Sequence, residues 1–291
     1  MGVDRRTVGG SPGPVAPVIE AAGVGCTFTS RAGVTEALRD VSLTVEAGEF
    51  VSIIGPSGCG KSTFLRVVGD LVEPATGRVR VNGKTPREAR LHRDYGIVFQ
   101  SPVLYEWRTA LENVRLPLEL AGRPRAEWEE RPRALLRLVG LEAFRDHYPW
   151  QLSGGMQQRV SIARALALHP SILLMDEPFG ALDEITRDRL NVELLRIWSE
   201  SGATVLFVTH SIAEAVFLSS RVVVMTPRPG SIDRVVTIDL PRPRTDHIRA
   251  ERHFFELVTT VRESLREDPA LPGPLPPPGG VDGSRRTRRI G

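Results

Sequence analysis

Short apolar runs recur along the middle of the chain, at 51–54 (where Ser52 is the one polar residue), 97–99, 172–175, 205–208 and 222–225. Runs without polar alternation suit strands buried on both faces, as in a largely parallel sheet. Helical patterns separate several of them, for example 61–68 and 187–198. Three more apolar segments, 18–21, 41–45 and 79–81, lie near glycine-containing turns and predict an antiparallel β layer. The strand–helix alternation breaks over 101–165, which reads as largely helical with Pro117, Pro124, Pro132 and Pro149 as punctuation. We take about 101–150 of that stretch as a helical insertion in an α/β domain. Further on, Ala250, Phe254, Leu257, Val261 and Leu265 recur at steps of three and four. That spacing predicts an amphipathic helix over 247–266 whose stripe packs on the domain. No internal repeat interrupts this order.

The two ends differ from the middle. Residues 1–17 are rich in glycine and proline, and 268–291 combine prolines with a basic cluster at Arg285, Arg286, Arg288 and Arg289. Such compositions bury too little to offset their ordering entropy, so both ends are expected to be disordered tails. The expected layout is a tail at 1–17, an α/β domain at 18–246 with its helical part at about 101–165, a helix at 247–267 and a tail at 268–291. With 291 residues and 41% hydrophobic content, the chain can bury a sizeable core. A formal net charge of only +3 gives no reason to expect nucleic acid as a partner. Cys26 and Cys59 are too few for a disulfide framework and fit a reducing compartment. No segment approaches the ~18 to 20 apolar residues that span a bilayer, and no apolar run follows Arg5 and Arg6 as in a secretory signal. A membrane role would have to come through a partner.

The chemistry begins at Gly55-Pro56-Ser57-Gly58-Cys59-Gly60-Lys61-Ser62-Thr63, between a predicted strand and a predicted helix. An ordinary glycine-rich turn could sit there. The flanks instead match a phosphate-binding loop, in which glycines let successive N–H groups point inward and the helix start adds positive potential. Lys61 would reach β- and γ-phosphates, and Ser62 would offer a hydroxyl to Mg²⁺. Lysine is informative here, because Lys61 and Lys84 are the only lysines among 38 basic residues. A compact ammonium fits such a cradle as a point charge, whereas a forked guanidinium does not. Later, the apolar run 172–175 leads into Asp176 and Glu177, placing two acids at the carboxyl end of a buried strand, where ligands bind in such sheets. Asp176 is suited to the Mg²⁺ hydration shell and Glu177 to polarising an attacking water as general base.

A phosphate loop and an acidic strand end define a P-loop NTPase without defining its kind. Leu152-Ser153-Gly154-Gly155-Met156-Gln157-Gln158 opens a helix whose exposed N–H groups are suited to receiving a phosphate, although a plain Ser/Gly helix cap would look similar. This stretch resembles the signature of ABC ATPases, with Met156 inserted before the glutamine that many members carry directly. The resemblance extends over about 18–235. It implies an α/β fold with a P-loop NTPase core of largely parallel sheet, an antiparallel β layer and a helical insertion. It aligns Gln100 with the glutamine that links the Mg²⁺ site to the insertion, and Ala181-Leu182-Asp183 with a loop that communicates across a dimer. It aligns His210 with a switch histidine on the γ-phosphate, and Phe28 with an aromatic residue that stacks on adenine.

The same resemblance implies that ATP and Mg²⁺ are the cofactors and that two ATPase subunits pair head to tail. Each nucleotide would then lie between one phosphate loop and Ser153, Gly154 and Gly155 of the other copy. Residues 106–114 and 225–230 look like those of nitrate/sulfonate/taurine-type importer ATPases, with relatives that import pyrimidine precursors. Such a subunit works with two integral-membrane permease subunits and an extracytoplasmic substrate-binding protein, on the cytoplasmic face of the cell membrane. Two alternatives fit the sequence less well. A soluble ATPase of translation or DNA repair would carry two cassettes or a long coiled coil. A non-hydrolysing regulator would not need Glu177 and His210.

Overall fold

The computed structural model describes residues 16–30 and 33–266, with Arg266 as backbone alone. The tail expected at 268–291 lies outside those residues, as does most of the tail expected at 1–17. Among the described residues, the strands form two sheets. One is antiparallel, with β1 (Ile19–Ser30) between β2 (Gly33–Val45) and β4 (Thr76–Val81). These are the three apolar segments of the antiparallel layer, and all three strands run longer than their apolar cores. The other sheet has the order β5-β6-β7-β3-β8-β9, built from β3 (Phe50–Ile54), β5 (Tyr95–Val98), β6 (Ile172–Asp176), β7 (Thr204–Val208), β8 (Arg221–Met225) and β9 (Ile232–Thr237). Its first five strands are parallel, and β9 closes the edge antiparallel to β8. The apolar runs predict the five parallel strands. They miss β9, whose Asp233, Arg234 and Val235 are exposed because an edge strand needs only one buried face.

Side-chain alternation divides the core across the sheet. On one face Phe50, Leu173, Val205 and Val222 pack with the helices; on the other Val51, Leu174, Leu206 and Val223 pack beneath the antiparallel layer. Helix α1 (Lys61–Val68) follows β3 within the second face, contributing Phe64, Leu65, Val67 and Val68. After α2 (Pro86–His92), the helical stretch comprises α3 (Ala110–Leu120), α4 (Glu127–Leu138) and α5 (Gly154–Ala165), then α6 (Glu184–Ser201) and α7 (Ile212–Leu218) follow on the sheet.

Two sequence expectations need correction. Pro117 and Pro132 do not punctuate the helices but lie inside α3 and α4, where Pro132 is buried. A proline forfeits one N–H bond, and here the packing of these helices outweighs that loss. The final helix α8 (Arg252–Arg266) starts later than 247, because Asp246–Ala250 form a 3-10 turn. Arg249 in that turn pairs with Asp188 and lies 4.0 Å over the Phe217 ring, leaving Ala250 exposed. Phe254, Leu257 and Val261 of the predicted stripe are buried against the domain.

Candidate functional site

The site lies at the carboxyl ends of neighbouring strands. β6, β7 and β3 are adjacent, and β5 flanks β6, so the segments after 54, 98, 176 and 208 converge. Those segments carry the phosphate loop, Gln100, Glu177 and His210. Sequence distance is erased by strand order.

In the loop, Gly60 caps α1 at φ +113°, a conformation open to glycine, and a Cβ there would lie 2.7 Å from the Ala37 carbonyl oxygen. Gly60 has no side chain to cap the helix, so the first-turn N–H groups keep their capacity for an anion. Lys61 is buried, and its Nζ donates to the carbonyls of Gly55 at 2.9 Å and Pro56 at 3.1 Å. The ammonium is thereby held inside the curve of the loop. Cys59 points the other way: its thiol packs in the core, and burial pushes it above the usual thiol range.

Ser62 and Asp176 meet directly, with Ser62 Oγ donating to Asp176 Oδ1 at 2.6 Å. Asp176 is buried at the end of β6, and its other oxygen lies 3.8 Å from Arg66. A hydroxyl, a carboxylate and the nearby Gln100 amide form an all-oxygen donor set, which fits a hard cation such as Mg²⁺. Glu177, next in sequence, has φ +45°. That backbone costs a non-glycine residue on the order of 1 to 2 kcal/mol. Its N–H is tied to the Val208 carbonyl at 2.9 Å, which anchors it to the end of β7. Its carboxylate oxygen Oε2 lies 3.2 Å from His210 Nδ1. A Cβ built on Gly180 would be 3.3 Å from both Gln100 Nε2 and Glu177 Oε2, so the loops after β5 and β6 meet within contact distance.

A cleft of about 650 Å³ opens above these groups. Ser57, Gly58, Gly60, Lys61, Ser62 and Thr63 form one wall, and Gln100, Glu177 and Phe28 also line it. Phe28 presents an exposed ring (44%), as a stacking platform requires. Gly55, Pro56 and Cys59 do not line the cleft; they shape the loop from behind. Asp176 lies beneath Ser62, and His210 stands beside Glu177. Ser153, Gly154 and Gly155 are not brought to the cleft of their own chain. Ser153 caps α5 by accepting the Met156 N–H, and Gly154 faces Leu182. Asp183, which follows Leu182, caps α6 through the Thr186 N–H.

Sequence reasoning missed Thr35, Ala37 and Arg228 on the cleft wall and Gly180 behind it. Nothing in their local sequence marks the first two, which lie ahead of the strand predicted at 41–45. Arg228 sits within 225–230, which the sequence flagged without a chemical role. A second cavity of about 520 Å³ lies between α4 and α6, lined by Arg137, Arg196 and Glu200 among others. There Arg137 pairs with Glu142 and Arg196 with Glu193 and Glu200, while Arg131 donates to the Leu166 carbonyl at 3.1 Å.

With this geometry in place, the chain can be set beside known proteins. Residues 38–180 match the family model described as ABC transporter. An uncharacterized ABC transporter ATP-binding protein of Methanocaldococcus jannaschii is 49% identical over 233 residues, covering 80% of this chain and 85% of that protein. The nitrate import ATP-binding protein of Synechocystis is 42% identical over 245 residues, covering 82% and 91%. The taurine import ATP-binding protein of Rhizobium johnstonii is 43% identical over 244 residues, covering 82% and 92%. Among solved structures, a dimeric ATP-binding cassette in a post-hydrolysis state with ADP and phosphate is 38% identical, with a TM-score of 0.67. That match covers 77% of this chain and all (100%) of the other.

Proposed function

The chain belongs to the ABC transporter family of ATP-binding, ATP-hydrolysing proteins, and from that premise we propose that it energises an importer of a small solute. The observation that carries the reading is the convergence of Lys61, Ser62, Asp176, Glu177 and His210 on one cleft, with Ser62 Oγ and Asp176 Oδ1 2.6 Å apart.

In this reading Phe28 stacks on adenine, while the loop N–H groups and Lys61 hold the phosphates. Ser62, Asp176 and Gln100 would hold Mg²⁺, which neutralises charge on the β- and γ-phosphate oxygens when bound. Glu177 accepts a proton from the attacking water, whose oxygen bonds to the γ-phosphorus as the bond to the bridging oxygen breaks. His210 orients the Glu177 carboxylate and faces the γ-phosphate. A second copy supplies Ser153, Gly154 and Gly155 to close the nucleotide in. ATP then stabilises the closed pair and hydrolysis releases it.

The motion is delivered to two integral-membrane permease subunits, fed by an extracytoplasmic substrate-binding protein, with this subunit peripheral on the cytoplasmic face. Support comes from relatives named as import proteins for nitrate and taurine, and from the surface after Gln100. There Leu104 packs against the core, while Trp107 is 71% exposed with Tyr105 4.9 Å away. Exposed aromatics beside Arg108 suit a binding hot spot for a permease helix. The solute class we propose is a nitrate- or taurine-like small solute, as in the named relatives; a sulfonate or a pyrimidine precursor rests on the sequence resemblance of 106–114 and 225–230 alone.

Trp107→Glu tests this. The isolated variant should keep its ATP turnover within about twofold and its melting temperature, because an exposed side chain contributes little to stability. Co-expressed with the permease subunits that pair with the wild type, it should fail to co-purify and should not support uptake. A variant that assembles and transports normally would remove this surface from coupling.

A further inference from the structure

Arg228 stands at the rim of the nucleotide cleft, on the turn between β8 and β9. This turn is fixed. Thr226 N–H donates to the Ser231 carbonyl and Ser231 N–H to Thr226 Oγ1, both at 3.0 Å. Gly230 N–H donates to the Ala37 carbonyl at 3.0 Å, and Arg39 N–H to the Gly230 carbonyl at 2.9 Å, which fastens the turn to β2. Gly230 also lies against the phosphate loop so closely that a Cβ would fall 1.9 Å from the Cys59 carbonyl oxygen. Pro227 and Pro229 flank Arg228 and restrict its backbone. The side chain is thus delivered to the cleft by a rigid support, as a preorganised contact requires.

The guanidinium is anchored at one atom. Arg228 Nε donates to the Gly58 carbonyl at 3.2 Å, on the tip of the phosphate loop. Its two terminal nitrogens have no hydrogen-bond or ion-pair partner among the described residues. Among the described residues that line the cleft, Lys61 and Arg228 are the cations and Glu177 is the acid. Lys61 is on the floor, bonded to loop carbonyls, so a single point charge serves the inner phosphate oxygens. Arg228 adds a planar fork at the rim, a geometry matched to two phosphate oxygens.

We infer that Arg228 is a second phosphate-binding cation of the ATP site, and that it favours ATP over ADP by reading the charge of the polyphosphate. This rests on the cleft being the ATP site. Its two amino groups donate to phosphate oxygens while Nε stays on the Gly58 carbonyl.

Calorimetric titration of the full-length protein with Mg·ATP and with Mg·ADP tests it, on wild type, Arg228→Ala and Arg228→Lys, with Lys61→Ala as a control. Losing a charge-assisted contact should weaken ATP binding on the order of tenfold in Arg228→Ala. The loss for ADP should be clearly smaller, and the salt dependence of ATP binding should shrink. Arg228→Lys should recover part of the difference. The melting temperature without nucleotide should not move. Unchanged ATP affinity in Arg228→Ala would overturn the inference. So would equal losses for ATP and ADP together with a lower nucleotide-free melting temperature, which would make Arg228 a brace of the loop. Failure of the wild type to bind ATP would instead remove the site on which the inference rests.

Discussion

Beneath His210, the Glu214 carboxyl is 4% exposed. One oxygen receives the Thr209 hydroxyl, and the other is buried without a partner. Burial raises its pKa above the usual 4.5, against the smaller opposing pull of Thr209, Arg187, His210 and Arg249. Thr209 Oγ1 in turn accepts the Ser211 N–H at 3.0 Å, so this acid braces both neighbours of His210. For an acid whose folded pKa is raised, the native state holds more protons than the unfolded one. Stability is then fully present below the unfolded value and is lost as pH rises through the folded value. Glu214→Gln keeps a polar partner for Thr209 and removes the titration. Urea denaturation from about pH 4.5 upward should show wild type losing stability relative to Glu214→Gln, with a slope of at most about 1.4 kcal/mol per pH unit. A pH-independent difference would mean that Glu214 titrates as an ordinary glutamate. At this scale the sequence is legible where one short segment carries its own chemistry, as at Lys61, Ser62, Asp176 and Glu177. Glu214 and Arg228 are not legible, because their roles depend on which backbone each side chain meets after folding.

Elements translate these residues into positions. The five parallel strands are readable because burial on both faces leaves no polar position in 172–175 or 205–208 and only the buried Ser52 in 51–54. β9 is not, since its exposed face erases the apolar run. In α3, Thr109 and Glu112 form a capping box, with the Glu112 carboxylate accepting the Thr109 N–H at 2.8 Å. Asn113 in the same turn is fully buried, and its Nδ2 lies 3.0 to 3.1 Å from the carbonyls of Tyr105, Arg108 and Thr109. Its Oδ1 accepts the Tyr105 N–H at 2.8 Å. One amide therefore shapes the whole segment that carries Trp107. Asn113→Ala would orphan several buried backbone groups, each worth roughly 1 to 3 kcal/mol. Chemical denaturation should register a loss of about 2 kcal/mol or more. A loss below about 0.5 kcal/mol would mean that the segment holds its shape without Asn113.

At the scale of the whole molecule, the cleft of one chain lacks Ser153, Gly154 and Gly155, which sit at the start of α5 away from it. Both halves are legible as motifs, and their separation within one chain is implied by the family resemblance alone, because spacing along the chain carries no distance through space. A second copy facing the first would complete each cleft, the arrangement proposed here for turnover and for driving a membrane partner. The most direct test is gel filtration of Glu177→Gln with and without Mg·ATP, with phosphate release followed in parallel. An amide is a poor proton acceptor, so turnover should fall about a hundredfold or more while ATP still binds. Nucleotide should then hold two chains together. We predict elution as a dimer with Mg·ATP and as a monomer without it. Near-normal phosphate release, or monomers with ATP bound at saturation, would contradict the account.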